Sequence, residues 1–598
     1  MSTLRKMSII LICTGWLACF GQSANAAQAG ESNLPEDTTM RLVVRELQIK
    51  GNSLISTAEL LEYMPDIYNA SDLRLAEAES QYLYDLRPIR QVVSTPGQPV
   101  EVSLRTIQGL TQYILSQYQK NNYSGIYVYV PEGSIKDGVE LVNGILPISV
   151  LEAPVTEIRI RFYDEERNEV EKGYLRRSAL EKWSPVEQDK VASQKSLDYM
   201  VNLLNLNPDR HVAAVVSRGA EPNTLAIGYD VYEVSPWHFF IQADNSGTSD
   251  RQWAPRVGVI NTNLLGFDDR FTTLYQVDLD SWDDNYSLFG SYDVPVMGPR
   301  LRLNLYGGYS EFDIHPEGGV IDFLGGGTFY GAVLRYNVLQ QDGWFFDVSG
   351  SWSHEESDIM PTSEILTKSQ LQPFASDLEW DLWGVGASLH RRNDMSTSAV
   401  SFTRVQSLNT SSQRRFWDTV AGAGARTNAD ADFAIYTTAA NHSQYLDRNK
   451  VQQLRLAGRW ISPTERLVPA KMTSFGGMYS IRGYDEYEIV ADGGILASAQ
   501  YEYDLVRHSQ AVEDEEIGTE IDLRKLAPLA FFDFGRSEIE DVVPGERKNT
   551  TLYSAGAGLI FEIGDNFSAA VYYGHPLKGT ASTRQGKGRL SASAMMRW

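Results

Sequence analysis

One short stretch combines residue types and spacing suited to specific chemistry: residues 474–490, SFGGMYSIRGYDEYEIV. Arg482 lies between Ile481 and Gly483, with Gly476 and Gly477 upstream and Tyr479, Tyr484 and Tyr487 around it. Glycines let such a loop turn tightly and enter a confined space. A guanidinium cannot shed its charge there and needs a fixed carboxylate. The chemistry is an anchor rather than a bond-making step. Elsewhere, eight histidines are scattered without an HExxH pair, which argues against metal hydrolysis. Ala421–Ala425 (AGAGA) and Ser554–Leu559 (SAGAGL) lack the Lys-Ser/Thr of a phosphate loop. Asn428–Asp432 (NADAD) offers carboxylates for Ca²⁺ without the remaining ligand spacing. No Ser/His or Asp/His set stands out. No catalytic residue, metal or cofactor is expected.

The elements that would enclose this loop begin with an export signal. Arg5 and Lys6 precede an apolar run from Met7 to about Phe20, and Ala24–Ala26 (ANA) supplies small residues for cleavage. Residues 1–26 therefore read as a secretory signal peptide. The two cysteines, Cys13 and Cys19, both fall inside it, so the mature chain has no disulfide and no thiolate site. No apolar run of the mature chain is long enough for a transmembrane helix. Acidic residues outnumber basic ones, 77 to 53, which argues against a nucleic-acid partner. A thiol-free, acidic chain with 31 Tyr and 48 Gly suits a bacterial outer-membrane β-barrel. Composition alone also allows a periplasmic β-sandwich or a passenger adhesin.

Periodicity divides the mature chain in two. From Arg41 to Glu233 strands and helices mix. Arg41–Asn52 alternates, and Val102–Lys120 places Leu104, Ile107, Leu110, Ile114 and Tyr118 on one helical stripe. Gly125–Gly133 then reads as a strand. The order recurs with a strand at Val155–Asp164 and a helical stripe of Val191, Leu197, Met200, Val201 and Leu204. A strand pair follows, HVAAVVSRG and TLAIGYDVYEV. Two small α+β modules are expected.

After Ser235–Phe240 the helical period disappears, and alternating segments of roughly ten residues follow, the length of a barrel strand. Sixteen candidates start near Trp237, Ala254, Arg270, Asn285, Arg300, Thr328, Trp344, Leu382, Ala399, Asp432, Lys450, Gly494, Ala527, Thr551, Phe567 and Arg589. Connections after even strands are mostly short. Those after odd strands are mostly longer, including 353–380, 407–431 and 462–493. Short periplasmic turns and long outer loops fit a first strand that rises from the periplasm. Residues 504–528 break this rule, reading as a solvated acidic insertion, a docking surface for a partner, or a miscounted strand. Gln276, Asp278, Arg302, Asn304, Arg455 and Arg597 phase inward and predict a hydrated lumen.

WHFFIQADNSG, NLLGFDDRF, SFGGMYSIRGYDEYEI and FFDFG, in this order and strand phase, carry a family likeness. They resemble the two-partner secretion transporters, the TpsB proteins of the FhaC/ShlB/HecB haemolysin secretion/activation type. Those are relatives of the BamA and TamA barrel-assembly proteins. The resemblance runs from about Arg41 to Trp598. It implies two periplasmic α+β POTRA modules followed by a 16-stranded antiparallel transmembrane β-barrel. The corresponding boundaries are a short segment at 27–40, a first POTRA domain at 41–153 with insertions, a second at 154–234, and the barrel at 235–598.

The family's arginine motif falls on Ile481, Arg482, Gly483 and Tyr484, in the sixth outer loop, which in the family folds back into the lumen. Its F-x-D-x-G wall motif falls on Phe531, Asp533 and Gly535, and the resemblance implies that Arg482 pairs with Asp533. With Phe532 and Phe534 facing lipid, Asp533 points inward, the side where a carboxylate is tolerated. Trp598 reads as a girdle aromatic or as a C-terminal insertion signal. The resemblance further implies a non-enzymatic outer-membrane pore of a Gram-negative cell, exporting and perhaps activating an unfolded TpsA-like exoprotein. Its other partners would be lipid, periplasmic chaperones and the barrel-assembly machinery. Extra sequence at 65–100 and 133–146 departs from the family pattern, and 27–40 is too short for a plug helix plus linker.

Overall fold

The computed structural model describes residues 34–71, 79–136, 140–246, 253–277, 286–314, 322–362, 376–408, 426, 428–429, 432–513 and 522–598. The signal peptide, residues 27–33, Asp278, Ala421–Ala425, parts of Asn428–Asp432 and residues 514–521 lie outside them. The chain divides into two compact units. One is Met1–Glu157 with Val186–Lys195 and Val216–Ile227; the other is Ile158–Pro185, Ser196–Val215 and Gly228–Trp598.

In the first unit, the alternating run 41–52 is two strands rather than one. Arg41–Val44 pairs antiparallel with Val100–Ser103, and Glu46–Lys50 pairs parallel with Ile145–Glu152. Arg45 is the corner, donating its N–H to Gly144 O at 2.7 Å. Ile126–Tyr129 completes a three-stranded sheet on the other side of Ile145–Glu152. The long helix is Leu104–Lys120, whose N-cap Ser103 accepts from the Thr106 N–H at 3.0 Å. Ile107, Leu110, Tyr113, Ile114 and Tyr118 are buried, whereas Leu104 is 39% exposed because it sits in the first turn. The described part of the extra sequence at 65–100 packs into the core. Leu83–Asp85 pairs with Ile67–Asn69, and Leu86, Ile89, Val92 and Val100 are buried with the rest.

The next sheet has four strands, ordered Glu169–Val170, Val155–Tyr163, Leu225–Glu233, Arg210–Arg218. Its accompanying helix is Gln194–Leu204, burying Leu197, Met200, Leu203 and Leu204. Val191 precedes the helix, and Leu203 is buried in place of the expected Val201.

From Trp237 onward, sixteen antiparallel strands close on themselves in chain order. Strands 1–8 are Trp237–Asp244, Ala254–Asn261, Arg270–Val277, Tyr286–Pro295, Leu301–Ile314, Asp322–Gln341, Trp344–Thr362 and Ser376–Arg392. Strands 9–16 are Ser396–Leu408, Ala434–Tyr445, Gln452–Pro463, Gly493–Tyr503, Leu523–Glu538, Asn549–Ile563, Phe567–Pro576 and Arg589–Arg597. Closure pairs Phe240 through Asp244 with Arg597 through Ser593. Trp598 extends it, exchanging backbone hydrogen bonds with Phe239 at 2.9 and 3.0 Å. Ile241, Leu305, Leu334, Val385, Phe532 and Leu590 are among many large apolar side chains exposed on the outer face. Arg302, Asn304, Arg455 and Gln500 line internal cavities. Apolar outside and polar inside is the arrangement of a barrel dissolved in lipid.

Several boundaries differ from the sequence expectation. Strand 6 begins at Asp322 rather than Thr328, and most of the expected outer loop 353–380 is strand, paired from Trp344↔Arg391 to Ile359↔Ser376. The hydrogen-bond ladder continues past the hydrocarbon, where Ser, His and Glu replace the apolar alternation that marks a strand. Strand 13 begins at Leu523 rather than Ala527, across a register shift between Leu523 and Lys525 that hides its start. The irregular periplasmic connection before it opens with a helix, Leu505–Glu513, whose first N–H groups meet Asp504 Oδ1.

Candidate functional site: a loop tethered inside the barrel

The connection between strands 11 and 12 carries the arginine. It leaves the rim, forms a small hairpin of Thr473–Phe475 with Ile489–Ala491, and turns back between them. Gly476 and Gly477 have φ of +112° and +95°, which a side chain would strain.

At the tip, Arg482 makes a two-pronged contact with Asp533 of strand 13: Nε to Oδ2 at 2.8 Å and Nη2 to Oδ1 at 2.8 Å. Its backbone N–H also donates to Oδ2, at 3.0 Å. Nη1 donates to Gln500 Oε1 at 2.6 Å and Nη2 to Ser498 Oγ at 3.2 Å. Ser498 in turn donates to Asp533 Oδ1 at 2.7 Å. The guanidinium carbon lies 3.5 Å from the Phe531 ring centroid, close enough for a cation–π contact. Arg482 is 8% exposed and Asp533 0%. A fork–fork pair of this kind fixes direction as well as distance.

Each wall-motif residue touches a different part of the loop. Phe531 faces the guanidinium and Asp533 takes its charge. Gly535 leaves room for Ile481, since a Cβ there would stand 2.1 Å from Ile481 Cδ1. Ile481 and Tyr484 are fully buried and cluster with Phe475, Ala491 and Leu552. Gly483, at φ +96°, packs backbone to backbone on Gly574 of strand 15, where a Cβ on either glycine would clash. The Tyr484 hydroxyl donates to Lys578 O at 2.7 Å and accepts from the Tyr553 N–H at 3.3 Å. Farther along, Tyr479 donates to Asp244 of strand 1 at 2.7 Å.

The base of the loop is held separately. Asp492, fully buried, accepts from the Leu467 N–H at 2.8 Å and the Glu540 N–H at 2.9 Å. Arg426 pairs with the same carboxylate, Nη2 to Oδ2 at 2.9 Å. Arg466 Nη2 meets Glu546 Oε1 at 2.7 Å, and that hydrogen bond pulls the Glu546 carboxyl down to about 2. Lys471 forms an ion pair with Glu355.

Ser498, Gln500, Gly574, Asp244 and Asp492 were not singled out from sequence. Ser498 and Gln500 were findable, because they pair with Asp533 and Phe531 across strands 12 and 13 and so share their inward phase. Asp244 shares the inward phase of strand 1, opposite the exposed Trp237, Phe239 and Ile241, whereas Gly574 carries no such local signal. Trp598 sits at the barrel seam, 53% exposed. For metal, His354, Glu356 and Glu379 bring ligand atoms within 4.8 Å of one another on the outer extensions of strands 7 and 8. They are remote in chain and wall from Arg482.

A closed, lipid-facing cylinder with a loop tethered inside its lumen defines a transmembrane β-barrel pore of the bacterial outer membrane. Residues 388–561 match the family model "Haemolysin secretion/activation protein ShlB/FhaC/HecB", and that span holds both the loop and the wall motif. That likeness covers part of the barrel, from strand 8 to strand 14. The fold is that of CdiB from Escherichia coli, with 14% identity, TM-score 0.66, and coverage of 97% of this chain and 93% of that one. CdiB from Acinetobacter baumannii is similar too, with 14% identity, TM-score 0.61, and coverage of 100% and 98%. No curated protein sequence matches the chain.

Proposed function

We propose that the chain exports an unfolded exoprotein across the outer membrane, with the modules at 41–153 and 154–234 acting as POTRA domains that receive it in the periplasm. The barrel at 235–598 is the conduit, and the Arg482–Asp533 contact holds its loop in the conducting arrangement. Folding of the client outside the cell would give the movement its direction, so no energy-carrying cofactor enters the scheme.

The observation that carries this reading is the buried, doubly bonded Arg482 on a loop with no barrel-building role of its own. Strand edges support the receiving step. Ile126–Tyr129 is an outer strand of its sheet, with Tyr127 and Tyr129 about half exposed. Such an edge presents unpaired backbone groups that an extended segment can join. Trp598, paired at the seam and exposed outward, is read as the C-terminal insertion signal.

The test is secretion by Arg482→Ala. Comparing proteins released by cells with and without the gene identifies the client. The variant then loses release of that client while its barrel stays inserted, shown by heat-modifiable mobility. Normal release from the inserted variant would remove the loop's role.

A further inference from the structure

Above the lipid-facing band of strands 7 and 8, a group of ionisable side chains points outward, away from the lumen. Their phase follows from the register. Val348, Trp352 and Val385 are exposed on the outer face, and Trp352 stands directly opposite Trp383. The next outward pairs toward the cell exterior are His354 with Asp381 and Glu356 with Glu379. Tryptophans at this height belong to the aromatic girdle that marks the edge of the hydrocarbon. One step beyond it is the headgroup layer, and the four ionisable residues sit there.

His354 is held on two sides. Its ring centroid lies 5.1 Å from that of Tyr330 on strand 6. Its Nδ1 meets Asp381 Oδ1 at 3.0 Å. A carboxylate bonded to Nδ1–H leaves the Nε2 lone pair free to bind and fixes where it points. Nε2 lies 3.4 Å from Glu356 Oε1 and 3.5 Å from Glu379 Oε1, and the three ligand atoms fall within 4.8 Å of one another. Both separations exceed a charge-assisted hydrogen bond, for which about 2.7–2.9 Å is usual. They match the ligand–ligand edge of a tetrahedral Zn²⁺ site, about 3.3–3.4 Å for bonds of about 2.0–2.1 Å. The register adds a cost that a cation removes, since Glu356 and Glu379 are like charges directly across a strand pair. Ligands at i, i+2 and the neighbouring strand follow strand spacing, which a helical HExxH pattern does not describe.

A separate cation stands beside them. Arg404 of strand 9 shares the outward phase of the exposed Val400 and Phe402, and its guanidinium carbon lies 5.1 Å from the Trp383 ring centroid. It meets Tyr436 and Gln406 but no carboxylate among the described residues. A guanidinium at this depth without a protein counter-charge suits a phosphate oxygen. We propose that His354, Glu356 and Glu379 bind a divalent cation of the Zn²⁺ class whose open position takes a phosphate oxygen of the outer-leaflet lipid, with Arg404 contacting phosphate in the same layer. An imidazole among the ligands favours Zn²⁺ over Mg²⁺ or Ca²⁺. Three protein ligands leave the fourth tetrahedral position open. The glutamate side chains are 55% and 67% exposed, so that position is reachable from the lipid. Without a cation, Glu356, Glu379 and Asp381 would set three carboxylates against a layer of phosphates. The site does not depend on export: it ties the barrel to its membrane, whatever passes through the lumen.

The test places the mature full chain in nanodiscs of phosphatidylcholine, with or without diphosphorylated lipid A, and titrates Zn²⁺ calorimetrically, subtracting empty discs. One Zn²⁺ per barrel should bind in both lipids, and about tenfold or more tightly with lipid A, the worth of one added charge-assisted contact. Asp381→Asn keeps the three ligands but loosens the imidazole, and should weaken binding about 10–100-fold. Glu356→Gln combined with Glu379→Gln should abolish it, with heat-modifiable mobility unchanged because both side chains lie on the outer surface. Arg404→Gln should reduce the gain from lipid A. No saturable Zn²⁺ uptake in lipid A discs, uptake that persists in the double glutamine variant, or equal affinity in the two lipids would overturn the proposal. Tighter binding of Mg²⁺ than of Zn²⁺ would overturn it as well.

Discussion

Replacing Asp533 by alanine leaves the Arg482 cation enclosed with no counter-charge. Arg482 is 8% exposed, and Asp533 accepts three of its N–H bonds, two from the guanidinium and one from the backbone. Removing one member of a buried pair costs about 3–5 kcal/mol, because the survivor keeps its desolvation penalty. The whole barrel does not bear that cost, since the loop can relieve it by leaving. Its remaining holds include the Gln500 and Ser498 bonds to Arg482, the Tyr484 and Tyr479 hydroxyl bonds and the contacts at Asp492. They are common to both forms, so the difference falls on the docked–detached equilibrium. At 1.4 kcal/mol per tenfold, the detached population rises between about a hundred- and a few thousand-fold. Amide hydrogen exchange in detergent reads this directly. Protection of residues 474–490 should fall by about two to three orders of magnitude, while strands 3–8 keep theirs. The double variant Arg482→Met, Asp533→Leu, with neither charge, should recover most of the loss. Unchanged protection in Asp533→Ala would mean that the ion pair does not hold the loop, whatever its geometry.

Gly574→Ala puts a methyl carbon about where the Gly483 N–H lies, 2.4 Å from the nitrogen. The loop tip should lift without opening the barrel, seen as faster exchange confined to 481–484 with unchanged heat-modifiable mobility. At the rim, Arg466 holds the Glu546 carboxyl near 2, below its ordinary value of 4.5. A depressed carboxyl stabilises the folded form above its unfolded value and loses that contribution as pH falls through the folded one. The thermal-stability gap between wild type and Glu546→Gln should therefore be full at pH 6 and close between about pH 4.5 and 2. A gap independent of pH would deny the pair its role.

Much of this architecture can be read from the chain because a lipid-embedded strand repeats a simple constraint. Phe532 and Phe534 facing out oblige Asp533 to face in, and sixteen strands pair in chain order around the cylinder. Legibility ends where that constraint ends. Above the hydrocarbon, strands 6–8 keep their ladder but lose the alternation, so residues 353–362 look like loop. At Arg45 a single alternating run breaks into two sheets, and nothing in the side chains marks the corner. The loop's surroundings are hardest to read. Tyr479 finds Asp244 from 235 residues away, and Gly483 meets Gly574 through backbone alone. Pairings of that reach depend on how the cylinder closes, which no local pattern encodes.

The loop's receptacle also has a place in time. Its walls come from strands 12, 13 and 15, its far contact from strand 1, and its lid from the segment around Lys578 and Thr583. All but strand 1 follow the loop in the chain, so residues 474–490 are synthesised before the cradle that receives them exists. Seating of the whole loop, from Arg482 on strands 12 and 13 to Tyr479 on strand 1, thus requires both ends of the cylinder to have met. A barrel closed one hairpin short would keep the Arg482–Asp533 pair but lose the Gly574 seat and the Lys578 lid, a built-in mark by which an unfinished pore differs from a finished one.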